Sequence, residues 1–247
     1  KGVAASTAAL TINNTDGTCT ANLTNRTNKN LIINGAMNVA QRSASSTANG
    51  YGSVDRFAVY NQSTNEAPTQ EQADVASGTT PYTLGFRKSI KVTNGNQTAG
   101  AGGNDLVAID YTIEAQDIAN SGWNYNSVSS SVTLSFWVKS SVAQNFYVMI
   151  RSEDGTKYNF PIETGSLTAD TWTKVTKTIS GNANLTFNND NGAGLLLEFV
   201  AFRGTNGTGP VTLDQWAAYD SSTRVPDMTT TWYTTNDATF EITGLQL

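Results

Sequence analysis

The stretch SVTLSFWVK at 131–139 sets Val132, Leu134, Phe136 and Val138 on alternate positions, with Thr133, Ser135, Trp137 and Lys139 between them. Successive side chains of a strand point to opposite faces, so the apolar four face a core and Trp137 faces away from it. NFYVMIR at 145–151 repeats the pattern, with Phe146, Val148 and Ile150 on one face and Tyr147, Met149 and Arg151 on the other. Paired as a hairpin, the two strands would gather Trp137, Tyr147 and Arg151 on one outer surface. Alternation also turns Asp110 away from Ile109 and Tyr111, and Glu198 away from Leu197 and Phe199, adding carboxylates to that surface. Flat rings flanked by planar polar groups suit sugars, whose apolar ring faces stack while their hydroxyls hydrogen-bond. A second aromatic group, Trp123 and Tyr125 in SGWNYNS, falls in a predicted loop, as do Trp216 and Tyr219 in QWAAY and Trp232 and Tyr233 in TWYTT. Loop aromatics among small polar residues form adaptable recognition surfaces. Each group has a plainer alternative: Trp137 covered by a loop or another subunit, and the loop aromatics anchored in the core edge.

Other chemistries are excluded or weakly served. The chain has no His, which removes Ser/His/Asp triads, Cys/His nucleophiles and His-ligated zinc. Its single Cys, Cys19, cannot form an intrachain disulfide or a multi-thiolate site. Glycoside cleavage needs two carboxyl groups roughly 5–10 Å apart. Asp110 with Glu198 is the one pair that the face assignment brings together, and no catalytic residue is assigned. No cofactor is expected. Calcium is the ion for which oxygen donors abound, yet no D-x-D-x-D-G loop occurs, and NNDNG at 188–192 reads better as a turn. A net charge of −5 leaves no basic footprint for nucleic acid. The longest apolar runs, such as Leu195–Leu197, are too short for membrane insertion, and the start at Lys1, without Met or signal-peptide core, is expected of an excised piece.

The elements that must position these residues are strands. About ten period-two segments run from 30–34 (NLIIN) to 239–247 (TFEITGLQL), separated by turns such as NGNQTAGAGGN at 94–104, with no long amphipathic helix. Thr (36), Asn (26), Ser (21) and Gly (21) make up about 42% of 247 residues, so polarity comes from hydroxyls and amides, while charged residues are 14%. The pattern predicts an all-β, antiparallel jelly-roll β-sandwich of about ten strands. Residues 1–29, small and polar with one alternating patch at Leu10 and Ile12, read as an arm or linker; residues 30–247 form the sandwich, and 203–238 read as surface loops.

NLIINGAMNVAQRS (30–43), GYGSVDRFAVY (50–60), VTLSFWVKSS (132–141), TWTKVTKTI (171–179) and FEITGLQL (240–247), in that order, resemble virion structural and tail-fibre proteins from phages of aquatic bacteria. The layout also resembles jelly-roll carbohydrate-binding modules, whose opening N-G segment and closing strand lie side by side. The first resemblance implies an outward-facing appendage on the virion, a homotrimer in contact with other virion proteins, that recognises host cell-surface polysaccharide without catalysis. It transfers no catalytic motif. Its rivals are a purely structural virion component, such as a capsid fibre or decoration protein, and a polysaccharide depolymerase.

Overall fold

The computed structural model describes residues 30–247 together with two short segments, β1 (Leu10–Ile12) and β2 (Cys19–Ala21), which pair antiparallel with Leu10 opposite Ala21. The strand expected at Leu10 and Ile12 is therefore present; the rest of the 1–29 arm lies outside the described residues. Along the chain follow β3 (Ser45–Ser46), β4 (Phe57–Gln62), β5 (Thr69–Asp74), α1 (Thr80–Thr83), β6 (Lys88–Thr93), β7 (Leu106–Glu114) and α2 (Ala115–Ala119). Then come β8 (Ser131–Ser140), β9 (Asn145–Ser152), β10 (Tyr158–Ser166), β11 (Thr173–Ser180), β12 (Ala193–Arg203), β13 (Ala217–Ala218), α3 (Thr231–Thr234) and β14 (Thr239–Gln246).

Apart from the β1–β2 ribbon, the strands form two antiparallel six-stranded sheets, in the orders β13-β10-β9-β12-β7-β4 and β11-β8-β14-β6-β5-β3. This is the jelly-roll β-sandwich that the alternation predicts. The inner faces meet through rings from opposite sheets: Phe136 against Phe199 with centroids 5.0 Å apart, and Phe146 against Phe240 at 4.9 Å. All four side chains are fully buried. Among the described residues no helix is long and apolar enough to cross a membrane.

Three expectations need correction. First, β8 and β9 are not a hairpin. β8 is flanked by β11 and β14, and the chain crosses to the other sheet before β9 begins. The turn is fixed by the Ser140 hydroxyl, which accepts the Val142 N–H and donates to the Val142 carbonyl, each at 3.0 Å. Inner residues meet the core either side by side or across it, so alternation is the same in both arrangements. Second, residues 30–34 are not a strand. Asn34 and Met37 have φ of 61° and 57°, which bends the segment into a turn that buries Leu31 and Ile32. It still lies beside the last strand: Leu31 N–H donates to the Leu247 carbonyl and Leu245 N–H to the Gly35 carbonyl, both at 2.9 Å. Third, 203–238 is not a set of free loops. Thr208 and Val225 form a parallel bridge, Val225 is fully buried, and α3 buries Trp232 and Tyr233.

Gly35 is held where no side chain fits, since a Cβ there would stand 2.0 Å from the Leu245 carbonyl oxygen. Gly35→Ala is expected to lower stability by about 1–3 kcal/mol, the usual cost of overpacking, or more because the obstacle is backbone. Urea denaturation checks this, and an unchanged midpoint would show that the junction between residues 30–35 and β14 is slack.

Candidate functional site

Trp137 sits on the outer face of the second sheet one strand in from its edge, with Lys174 of β11 as its register partner on one side and Thr243 of β14 on the other. The residue is partly exposed. Two positions along, Lys139 also points outward. Its Nζ pairs with Glu241 Oε1 at 2.9 Å and stands 5.2 Å from the ring of Trp172, the residue that continues the β11 register opposite Lys139. Glu241 Oε2 accepts from the Ser89 hydroxyl at 3.0 Å, so its buried carboxylate is held from two sides. Trp137 and Trp172 are thus diagonal neighbours on one face, a relation that spaces residues roughly 7–8 Å apart. In the other direction the face continues as hydroxyls, with Thr176 opposite Ser135 and Thr178 opposite Thr133. Two indoles beside a hydroxyl ladder and a lysine can stack on sugar rings and hydrogen-bond their hydroxyls.

Tyr147, Arg151, Asp110 and Glu198 share a face with one another but not with Trp137, which is the consequence of the missing hairpin. They lie on the outer face of the first sheet, across the sandwich. There Tyr147 is level with Val200, Met149 with Glu198, and Glu198 in turn with Asp110. The Asp110–Glu198 pair that alternation predicts is therefore real as a cross-strand neighbour pair. The face is largely covered by residues 204–228: Val225 packs with Met149, Leu196 and Val200, and the Arg224 carbonyl accepts Asn159 Nδ2 at 2.7 Å. Arg151 donates through Nε to Glu153 and lies 4.7 Å from the Tyr219 ring. Tyr147 is partly buried, which with the nearby Glu163 carboxylate pushes its hydroxyl pKa up.

Under that cover Glu198 accepts from Arg203 Nη2, and both side chains are 7% exposed. Asp110 faces this pair with one carboxyl oxygen buried and unpartnered. Burial first, and the Glu198 charge second, raise its pKa well above the ordinary carboxylate range. A carboxyl whose protonated form is favoured thus stands beside a carboxylate paired with arginine.

Trp123 and Tyr125 are not displayed. Trp123 is 7% exposed and belongs to the main core; Tyr125 packs edge-on between it and Phe187, with centroids 6.3 and 4.9 Å away. Trp216 likewise packs 5.2 Å from Phe160 and donates Nε1 to the Ser180 carbonyl at 2.7 Å. The core-edge alternative holds for Trp123, Tyr125, Trp216, Trp232 and Tyr233, while Tyr219 packs on the outer-face cluster of Val225 and beneath Arg151. At 188–192 Asp190 Oδ1 accepts the Gly192 N–H at 3.0 Å, the bond of a local turn. Trp172 is not among the expected site residues, although extending the TKVTKTI alternation back by one residue sets it on the same face as Lys174; its place beside Lys139 comes from the β8–β11 pairing.

No protein-family model matches the chain, and no curated protein matches it. Among solved structures it is similar to a family 11 carbohydrate-binding module from Clostridium thermocellum in complex with a β-1,3-1,4-mixed-linked tetrasaccharide (TM-score 0.36, 12% identity, covering 81% of this chain and 92% of that one). It is also similar to the N-terminal cellulose-binding domain of Cellulomonas fimi β-1,4-glucanase C (TM-score 0.39, 9% identity, covering 84% and 95%). At such TM-scores the likeness is loose, and what this chain binds has to be read from its own side chains.

Because the fold holds the Asp110 proton to a higher pH than the unfolded chain does, the native state binds more protons over that interval. Stability falls as pH rises through it and is full below the ordinary carboxylate pKa of about 3.9. Asp110→Asn removes the ionisable group, and with it the cost of burying or protonating it, and keeps the shape. It is expected to be more stable than the parent by roughly 1–2 kcal/mol near neutral pH, a gain that closes by about pH 3.5, where the parent carboxyl is protonated in both states. Denaturation curves at the two pH values measure it; an equal difference at both would assign the effect to packing.

Proposed function

We propose that the protein binds a polysaccharide without catalysis along the outer face of the second sheet, with Trp137 and Trp172 as stacking platforms. The observation that carries the reading is this pair of indoles on a sheet face whose neighbouring outward positions are hydroxyls, lysines and the buried Glu241. Lys139 and Lys174 flank the rings with donors, and Ser135, Thr176 and Thr178 extend the hydrogen-bonding strip along the strands. A single shallow site of this kind binds weakly, near −4 kcal/mol or millimolar.

Affinity electrophoresis through gels containing candidate polysaccharides tests the reading. Trp137→Ala and Trp172→Ala should each weaken retardation at least tenfold, about 1.4 kcal/mol, with the unfolding midpoint within about 0.5 kcal/mol of the parent, as for surface changes. Retardation unchanged in both variants would overturn the platform.

The motif resemblance extends the proposal. The polysaccharide is then that of a bacterial host surface, and the protein a virion appendage acting as a homotrimer, in which three weak sites gain avidity through effective concentration. Light scattering of the intact protein is expected to report a trimer at micromolar concentration. A monomer that still adsorbs to host cells would leave the glycan reading standing and remove the trimer from it.

A further inference from the structure

At the end of the first sheet, remote from Trp137, a pocket of about 110 Å³ opens between the loop at 103–106, the end of β12 and residues 221–224. Its lining includes Arg203, Arg224, Gln62, Asn104 and Asn206. The volume suits one small oxyanion with a water or two. Arg203 and Arg224 line the pocket, Arg151 lies further along the same outer face, and the three are not equally satisfied. Arg151 is paired with Glu153 and Arg203 with Glu198, whereas Arg224 makes no ion pair among the described residues and gives Nε to a backbone carbonyl, that of Ser221, at 3.1 Å. Arg203 itself is 7% exposed and its Nε is buried with no hydrogen-bond partner from the protein, a donor whose burial costs stability.

Gly207 keeps the Arg203 side chain open to the pocket, since a Cβ there would stand 2.9 Å from its Cδ and 3.2 Å from its Nη1. The one carboxylate in the lining, Asp105, turns Oδ2 to the Gly102 N–H at 2.6 Å. We propose that this pocket is a binding site for an oxyanion, a carboxylate or a sulfate or phosphate group, held between the guanidinium groups of Arg203 and Arg224. Planar guanidinium forks match such groups in bidentate fashion. Burial and the like charge of Arg203 both lower the Arg224 pKa, an electrostatic cost that a bound anion relieves. The site stands on the opposite face from the indole pair and does not depend on it.

The experiment is a ¹H–¹⁵N NMR titration of the intact protein with sodium sulfate, sodium phosphate and sodium galacturonate, at ionic strength fixed with chloride. Saturable shifts confined to Gly103–Leu106, Gly204–Gly207 and Arg224 are expected with at least one of them, and the arm that saturates at the lowest concentration identifies the source. Arg224→Gln should weaken that response at least tenfold and Arg224→Lys less, with thermal unfolding confirming that both fold. No saturable response beyond the chloride control, or an affinity equal in Arg224→Gln, would overturn the site. Neither result bears on retardation by the Trp137 face.

Discussion

β14 is the strand on which the rest of the molecule depends. It is the last element in the chain and yet sits inside the second sheet, between β8 and β6. Its inner side chains Phe240 and Ile242 are buried, with Phe240 reaching across to Phe146 of the other sheet. Its outer side chains, Glu241 and Thr243, are the register partners of Lys139 and Trp137. Its end is met by residues 31–35 from the start of the sandwich. Core, outer face and closure therefore share one eight-residue segment. Its bulge before Gln246 passes through Gly244, at φ 63°, where a Cβ would meet the Phe86 ring at 2.8 Å. Because β14 pairs with strands far behind it in sequence, the second sheet rests on non-local pairing.

The two outer faces are finished differently, and electrostatics accounts for the contrast. On the second sheet each pair keeps a partly exposed member, Lys91 with Glu71 both so and Lys139 answering the buried Glu241, so water shares the cost of holding them. On the first sheet, Glu198 and Arg203 are taken out of water together. Such pairs cost about as much to desolvate as they return, while removing one partner is severe. The segment over them is consequently more than a lid on an apolar patch. Val225 covers Met149 and Val200, but Asn159 and the backbone at 207–209 and 224–225 also fix it by hydrogen bonds. The buried Asp110 oxygen, the Asn159 Oδ1 and the Arg203 Nε remain unpartnered there, so this face retains polar groups that its own chain does not satisfy.

What was legible in the sequence follows from what a period of two encodes. It encodes the face on which a side chain lies: Leu134, Phe136, Val138, Phe146, Val148 and Ile150 are all buried as alternation requires, and Asp110 does meet Glu198 across a strand pair. It does not encode which sheet a strand joins, and so it merged Trp137 with Tyr147 and Arg151, which the sandwich places back to back. It is silent where a strand has no apolar face. β5, TQEQAD, was missed because its inward Gln70 and Gln72 are polar and spend their amides on backbone carbonyls, Gln70 on Ala48 and Gly50 and Gln72 on Met37. Nor does it separate an aromatic in a loop that is displayed from one that plugs the core edge, because that difference lies in long-range packing such as Trp216 on Phe160. The arginine pocket had no local signature at all. Arg203 and Arg224 are brought together by the fold-back of the segment between them.

The placement of positive charge decides how an acidic chain can meet a glycan. With a net charge of −5, the molecule as a whole repels anionic polymers. Exposed charges are screened beyond about 8 Å in physiological salt, however, so a ligand feels the groups near it and not the total. Both candidate sites carry cations beside paired carboxylates, Lys174 next to the Lys139–Glu241 pair at the indoles and Arg224 next to the Arg203–Glu198 pair at the pocket. They face away from each other through two sheets that pack roughly 10 Å apart before side chains are added. A single extended saccharide cannot lie on both at once without wrapping an edge of the sandwich. If both proposals hold, the two sites would therefore act independently on one protein, the indole face selecting by ring stacking and hydroxyl pattern, the pocket by the charge of a single group.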